Sequence, residues 1–134
     1  MCPEAIAGEQ IGREQMARID SFNFGFIVVD RKQYVADVLL LPDGTVKERE
    51  PGRGRLGSHS ITRSEIENLG KAQPEVILVG TGVSGLAKLS EDAQAYLQQA
   101  KLNLVVMPSP QAVARFNQLT DEGKRVAALI HITC

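Results

Sequence analysis

Apolar positions along this chain follow two rhythms, and the change falls near the middle. In the first half, short apolar runs alternate with polar turns. Phe24–Val29 reads FGFIVV after the short lead Ile19–Asn23, and Gln33–Leu41 carries QYVADVLLL. Short runs rich in β-branched and aromatic residues, bounded by polar clusters, predict strands. Asp30, Arg31 and Lys32 form the first turn. Pro42-Asp43-Gly44 forms the second, because proline presets φ and glycine accepts positive φ. Thr45–Glu50 can then pair back as a further strand. Residues 18–50 are accordingly predicted to form an antiparallel meander, with Tyr34, Val35, Val38 and Leu40 feeding the core.

The second rhythm follows a glycine-rich loop, Pro51–Ser60. Thr62 or Ser64 can cap a short helix running to about Leu69, with Gly70 near its end. Pro74 restarts the chain in extended form. Val76–Val79 is continuously apolar, as befits a strand covered on both faces, and Gly80–Gly85 is a turn. Ser90 reads as an N-cap, with Glu91 and Asp92 complementing the dipole of a helix over 91–100. Leu102–Met107 is the next strand. Ser109 is expected to cap a helix with Pro110 in its first position; it runs to about Glu122 and stops at Gly123. Val126–Ile132 closes as a last strand. Short links between alternating strands and helices imply parallel neighbours and right-handed crossovers. The sum is an α/β fold: a three-layer domain with a mixed central sheet, an antiparallel N-terminal meander followed by β-α-β-α-β. Residues 1–17 read as a flexible arm and 18–134 as the single domain.

Composition narrows the function classes. At 134 residues and 43% hydrophobic content, the chain suffices for one core without staples. A net charge of −1 offers no global attraction to nucleic acid or anionic lipid. Cys2 and Cys134 lie at opposite ends with no Cys–His spacing, so no metal site is expected; no cofactor is expected either, on the context of the glycine turn at 80–85. Two lone cysteines suit a reducing compartment. Nothing approaches about 18 consecutive apolar residues, and residues 1–16 lack the basic start and apolar run of a signal peptide. The expectation is a cytoplasmic protein that is not an integral membrane protein.

The candidate chemistry centres on the glycine turn. Gly80, Gly82 and Gly85 satisfy GxGxxG after a strand, a spacing that lets backbone amides approach a pyrophosphate. Its context fails twice. No helix opens from the turn, since Gly85–Leu89 intervenes, and the next strand ends in Val106-Met107-Pro108 without an acidic residue for a ribose hydroxyl. The ordinary reading is a tight turn needing positive φ. A ligand reading survives on the rule that ligands collect outside the carboxyl ends of strands: amides at Thr81 and Gly82 and the cap at Ser109 could hold a small anion. Asn117, a poor helix former in mid-helix, is the candidate clasp for that turn. His59 beside Ser58 and Ser60 offers no nucleophilic site, because no GxSxG elbow exists and Ser84 has only the first half of that pattern. His131, between Ile130 and Ile132, reads as a structural or edge histidine. Lys47, Arg49, Arg53, Arg55 and Arg63 form a basic cluster that is ordinarily solvated; arginine forks also suit an acidic partner or phosphate. Nucleic acid is not expected, since aromatic interleaving is missing and Glu48 and Glu50 dilute the charge. No catalytic residue is assigned.

Three separated blocks, PEVILVGTG, VVMPSPQAVARFNQL and DEGKRVAALI, resemble in order the small α/β domain of the mitochondrial complex I assembly factor 3 and the adipogenesis-associated Mth938-like domain protein. The resemblance spans about residues 18–131. The family's glycine turn falls on Gly80-Thr81-Gly82. Its methionine strand end, alanine-rich helix and asparagine fall on Met107, Ala112, Ala114 and Asn117, and its stop on Gly123-Lys124-Arg125-Val126. The family's M-x-T step is Met107-Pro108-Ser109 here, and its frequent tryptophan is absent. The resemblance implies a protein-interaction domain rather than an enzyme, one that assists assembly of a membrane complex. The alternative reading is a small-molecule or anion binder, conceivably an enzyme, using Thr81, Gly82, Ser109 and Asn117.

Overall fold

The structure, a computed structural model, describes residues 16–49, 60–100 and 102–133. The expectations for the N-terminal arm, Cys2, Cys134, Arg53, Arg55 and His59 lie outside the described residues, although Ala17 is already buried in the core.

Among the described residues the first elements are three strands, β1 (Ile19–Asn23), β2 (Phe26–Val29) and β3 (Lys32–Tyr34), an antiparallel sheet in that order. The β2–β3 turn places Asp30 at φ 50° and Arg31 at φ 70°, the left-handed pair that matches strand twist but strains side chains. Two carboxylates hold it. Asp30 Oδ1 accepts from the Arg18 N–H at 3.0 Å, and Asp20 Oδ2 accepts from the Arg31 N–H at 2.7 Å.

The remaining elements among the described residues are β4 (Val38–Leu40), β5 (Val46–Glu48), β6 (Ser60–Ile61), α1 (Arg63–Gly70), β7 (Val76–Thr81), β8 (Lys88–Leu89), α2 (Glu91–Ala100), β9 (Leu104–Met107), α3 (Ser109–Asp121) and β10 (Val126–His131). The central sheet runs β5-β4-β10-β7-β9. β10, β7 and β9 are parallel to one another, β4 is antiparallel to β10, and β5 is antiparallel to β4. β6 and β8 form a two-residue parallel ladder that sequence reading leaves as loop.

The meander therefore ends earlier than residue 50. The strand expected over 33–41 breaks after Tyr34, and its second part joins the central sheet as β4. Val35, expected in the core, is exposed. Asp37 causes the break: its Oδ1 accepts from the Ile132 N–H at 2.9 Å, anchoring the chain where β10 ends.

Strand alternation sorts the core onto two faces. Val76, Leu78, Val126, Ala128 and Ile130 meet α3 and the small sheet through Ala112, Phe116, Leu119, Ile27 and Val29. Ile77, Val79, Ala127 and Leu129 meet α1 and α2 through Ile66, Leu69, Ala93 and Leu97. Helix termini follow the local signals. Thr62 builds a full capping box with Glu65, Ser90 Oγ accepts from the Ala93 N–H, and α3 stops with Gly123 at φ 84°. There the N–H groups of Gly123 and Lys124 donate to Thr120 O and Leu119 O, satisfying orphan carbonyls.

Candidate functional site at the carboxyl ends of the central strands

Thr81, Gly82 and Ser109 converge where β7 and β9 end. The Gly82 N–H donates to Ser109 Oγ at 2.8 Å, and the Ser109 hydroxyl donates to the His131 carbonyl at 2.6 Å. The Ser109 N–H donates to Gly82 O at 2.9 Å, and the Thr81 hydroxyl to Met107 O at 3.2 Å. Val83 donates its N–H to Thr133 O, and Ala87 to Thr81 O. The donors proposed to cradle an anion thus bond within the fold. Ser109 is not the N-cap of α3. It is the first helical residue, Pro108 precedes it without a side-chain cap bond, and its hydroxyl stitches the end of β7 to β10.

Glycine serves two purposes in the turn. Gly82 at φ 103° and Gly85 at φ 73° adopt left-handed backbone. Gly80 instead makes room for α3: a Cβ there would fall 2.8 Å from Ser109 Oγ and 3.1 Å from Ala112 Cβ.

Asn117 lies elsewhere and does not clasp the turn. Its Oδ1 accepts from the Ile19 N–H at 3.0 Å and its Nδ2 donates to Ile19 O at 2.8 Å, pinning β1 to α3. Asn117→Ala is expected to cost about 1 kcal/mol, because the stranded Ile19 groups outweigh the better helix propensity of alanine. Hydrogen exchange at Ile19 should accelerate while that at Gly82 stays unchanged; the reverse would restore the clasp.

Beside the turn lies a cluster that sequence reasoning does not assemble. Arg49, expected on a solvated basic loop, is buried. Its Nε and Nη2 donate to both Glu65 oxygens, its Nη1 to Asp37 Oδ2 at 2.9 Å, and its Nη2 also to Ser60 O at 2.7 Å. Asp37 Oδ2 lies 2.8 Å from His131 Nδ1. A carboxylate only accepts, so Nδ1 carries the proton. Burial alone would raise the Asp37 carboxyl; hydrogen bonds from His131, the Ile132 amide and Arg49, with the His131 charge, hold it below the ordinary value. Burial likewise works against the Arg49 charge, and Glu65 and Asp37 overcome it, raising the guanidinium above its usual value. His131 is buried on the central strand of the sheet, not at an edge. A continuous polar path therefore runs from Gly82 through Ser109, His131, Asp37, Arg49 and Glu65 to the N-terminus of α1. It couples elements far apart in sequence.

The fold and these contacts can be set against known proteins. Residues 19–131 match the model of a family described as "Protein of unknown function (DUF498/DUF598)". The chain belongs to this family. The solved structure titled MT938 is 30% identical, covering 88% of this chain and 99% of its own, with a TM-score of 0.73. The conserved hypothetical protein PH1505 from Pyrococcus horikoshii OT3 is 28% identical over 87% of this chain and 99% of its own, with a TM-score of 0.76. A Bordetella pertussis protein, titled a Mth938-like domain, is 22% identical over 86% of this chain and 85% of its own, and its TM-score of 0.64 extends the likeness at the level of fold. The Mth938-like fold is thus shared across nearly the whole described body. Among the described residues, no helix of this DUF498/DUF598 chain is long and apolar enough to cross a membrane.

Proposed function

We propose that this chain is a cytoplasmic protein-interaction domain whose partner docks on the rim at the carboxyl ends of β7 and β10. The observation that carries this reading is a set of exposed apolar side chains at that one end: Phe24 at 64% exposure, Val35 at 71%, Val83 at 38% and Leu86 at 56%. Backbone bonds place their loops together. The Gly25 N–H donates to Ile132 O and the Val83 N–H to Thr133 O, both at 2.7 Å. Val35 precedes Asp37, which holds the Ile132 amide, and Leu86 follows Gly85, which faces Pro108. Exposed apolar groups gathered in one region mark interaction sites, whereas scattered ones carry no such meaning. The occupant this rim fits is an uncharged apolar segment of another protein. The resemblance to an assembly factor supports a partner drawn from the subunits of a membrane complex under assembly. An anion at Thr81–Gly85 is the weaker reading, since the amides of Gly82, Val83 and Ser109 already have acceptors.

Site-specific photocrosslinking in cells tests the proposal. A benzophenone side chain at Phe24 or Leu86 should yield one discrete heterologous adduct, identified by mass spectrometry and lost in the Val83→Asp background. Adducts identical to those from exposed Gln98 on α2, adducts only with a second copy of this chain, or none at all would overturn it.

A further inference from the structure

We infer that a groove between α1 and the β4–β5 edge binds a small amphipathic anion, an apolar acid with a single carboxylate. The five-stranded sheet carries α1 and α2 on this face, and their core contacts concentrate on β7 and β10. Among the described residues, a cavity of about 510 Å³ lies between α1 and the β4–β5 edge. Its floor is Leu39, Leu41 and Leu69; the first two are half-buried at the margin of the core on this face. Volumes of about 300–1,000 Å³ with an apolar lining and a few placed polar groups are typical of small-molecule sites.

The charges set the class of ligand. Lys47 pairs with Leu39 in the β4–β5 register, so alternation puts its side chain on the same face as the apolar floor. Lys71 closes the C-terminal end of α1 and also lines the groove. Glu48, Arg49 and Glu65 complete the charged lining, but Arg49 and Glu65 neutralise each other through their direct ion pair. What remains facing the floor is two lysines, since Glu48 pairs with Val38, a residue of the opposite core face. An apolar tail on the leucines with one anionic head between Lys47 and Lys71 satisfies both the floor and that excess. A cation would oppose both lysines. At its Leu41 end the groove lies toward the amino ends of β7 and β10, since Leu41 follows the β4 residue paired with Ala128, while its Arg49 end adjoins Asp37; the rim residues Phe24, Val35, Val83 and Leu86 do not line it.

Titration of the isotope-labelled full chain with octanoate, below its micelle concentration, tests the inference by amide chemical shifts. Saturable shifts are expected at Leu39, Leu41, Asn68, Leu69 and Ala72. Acetate, which lacks the tail, and octylamine, which reverses the charge, should each bind at least about tenfold more weakly. The doubly substituted Lys47→Glu, Lys71→Glu chain alters only exposed side chains, and it should lose at least about tenfold in octanoate affinity while keeping its unfolding midpoint. Shifts that never saturate, equal binding of octylamine, or unchanged affinity in the double variant would overturn the proposal.

Discussion

Arg49→Met is expected to remove about 3–5 kcal/mol of unfolding free energy, the range for breaking a buried ion pair from one side. Arg49 donates to Glu65, Asp37 and Ser60 O at once. The substitution keeps much of the aliphatic packing but leaves two carboxylates with only 7% and 12% of their side-chain surface exposed. Desolvation that the guanidinium now offsets becomes an uncompensated cost. For a domain of this size the melting temperature should fall by roughly 10–20 °C. Adding Glu65→Gln should recover part of the loss, because glutamine can keep the reach back to the Thr62 amide without a charge to desolvate. A loss in Arg49→Met below about 1 kcal/mol, the level of an exposed pair, would mean that water screens the network.

The same cluster fixes the sign of the acid response. The Asp37 carboxyl is held below its ordinary value in the folded state. Its contribution is therefore fully present above the unfolded value of about 3.9 and fades as pH falls through the lower folded value. Stability measured by denaturant should decline on acidification below about pH 4, and the decline should be shallower in Asp37→Asn, which has no proton to take up at that position.

How far the sequence can reveal this depends on the range of each interaction. Helices α1, α2 and α3 and strands β7, β9 and β10 are legible because their signals are local: Thr62 with Glu65 three residues on, Ser90 before Glu91, Gly123 after Asp121, and unbroken apolar runs. The break within 33–41 is not, since no glycine or proline punctuates it. Its cause is the bond from Asp37 to residues 94 and 95 positions away. One trace of the network is visible. Asp37 interrupts VADVLLL and His131 interrupts VAALIHI, and a charged or titratable residue within an otherwise core-forming strand needs a buried partner. Which partner it finds depends on strand order, which pattern alone leaves open. Arg49 shows the opposite difficulty, for its neighbours Glu48 and Glu50 give it the appearance of a solvated position. Ser109 misleads for a related reason. A serine before proline has the form of a cap, yet its hydroxyl is claimed by Gly82 and His131.

Gly80→Ala is the second large effect, expected at about 2–3 kcal/mol. Gly80 is not a positive-φ glycine, so the cost arises from contact rather than from backbone strain. The new Cβ would meet Ser109 Oγ at 2.8 Å, Ala112 Cβ at 3.1 Å and Ile130 Cδ1 at 3.2 Å. The isoleucine can adjust its outer carbon, but Ala112 can move only with α3. Ser109 cannot rotate away without giving up both the Gly82 amide and the His131 carbonyl, each buried and costly to leave unpaired. Relief therefore requires the first turn of α3 to lift from β7, loosening the path between the glycine turn and His131. Denaturant unfolding should register the loss, and exchange at the Gly82 amide should accelerate well beyond that at Ile19, whose partner Asn117 lies about two turns further along α3. A loss under about 0.5 kcal/mol with unchanged Gly82 exchange would mean that α3 has room to spare at this crossing, and that the first glycine of the turn is dispensable to the fold.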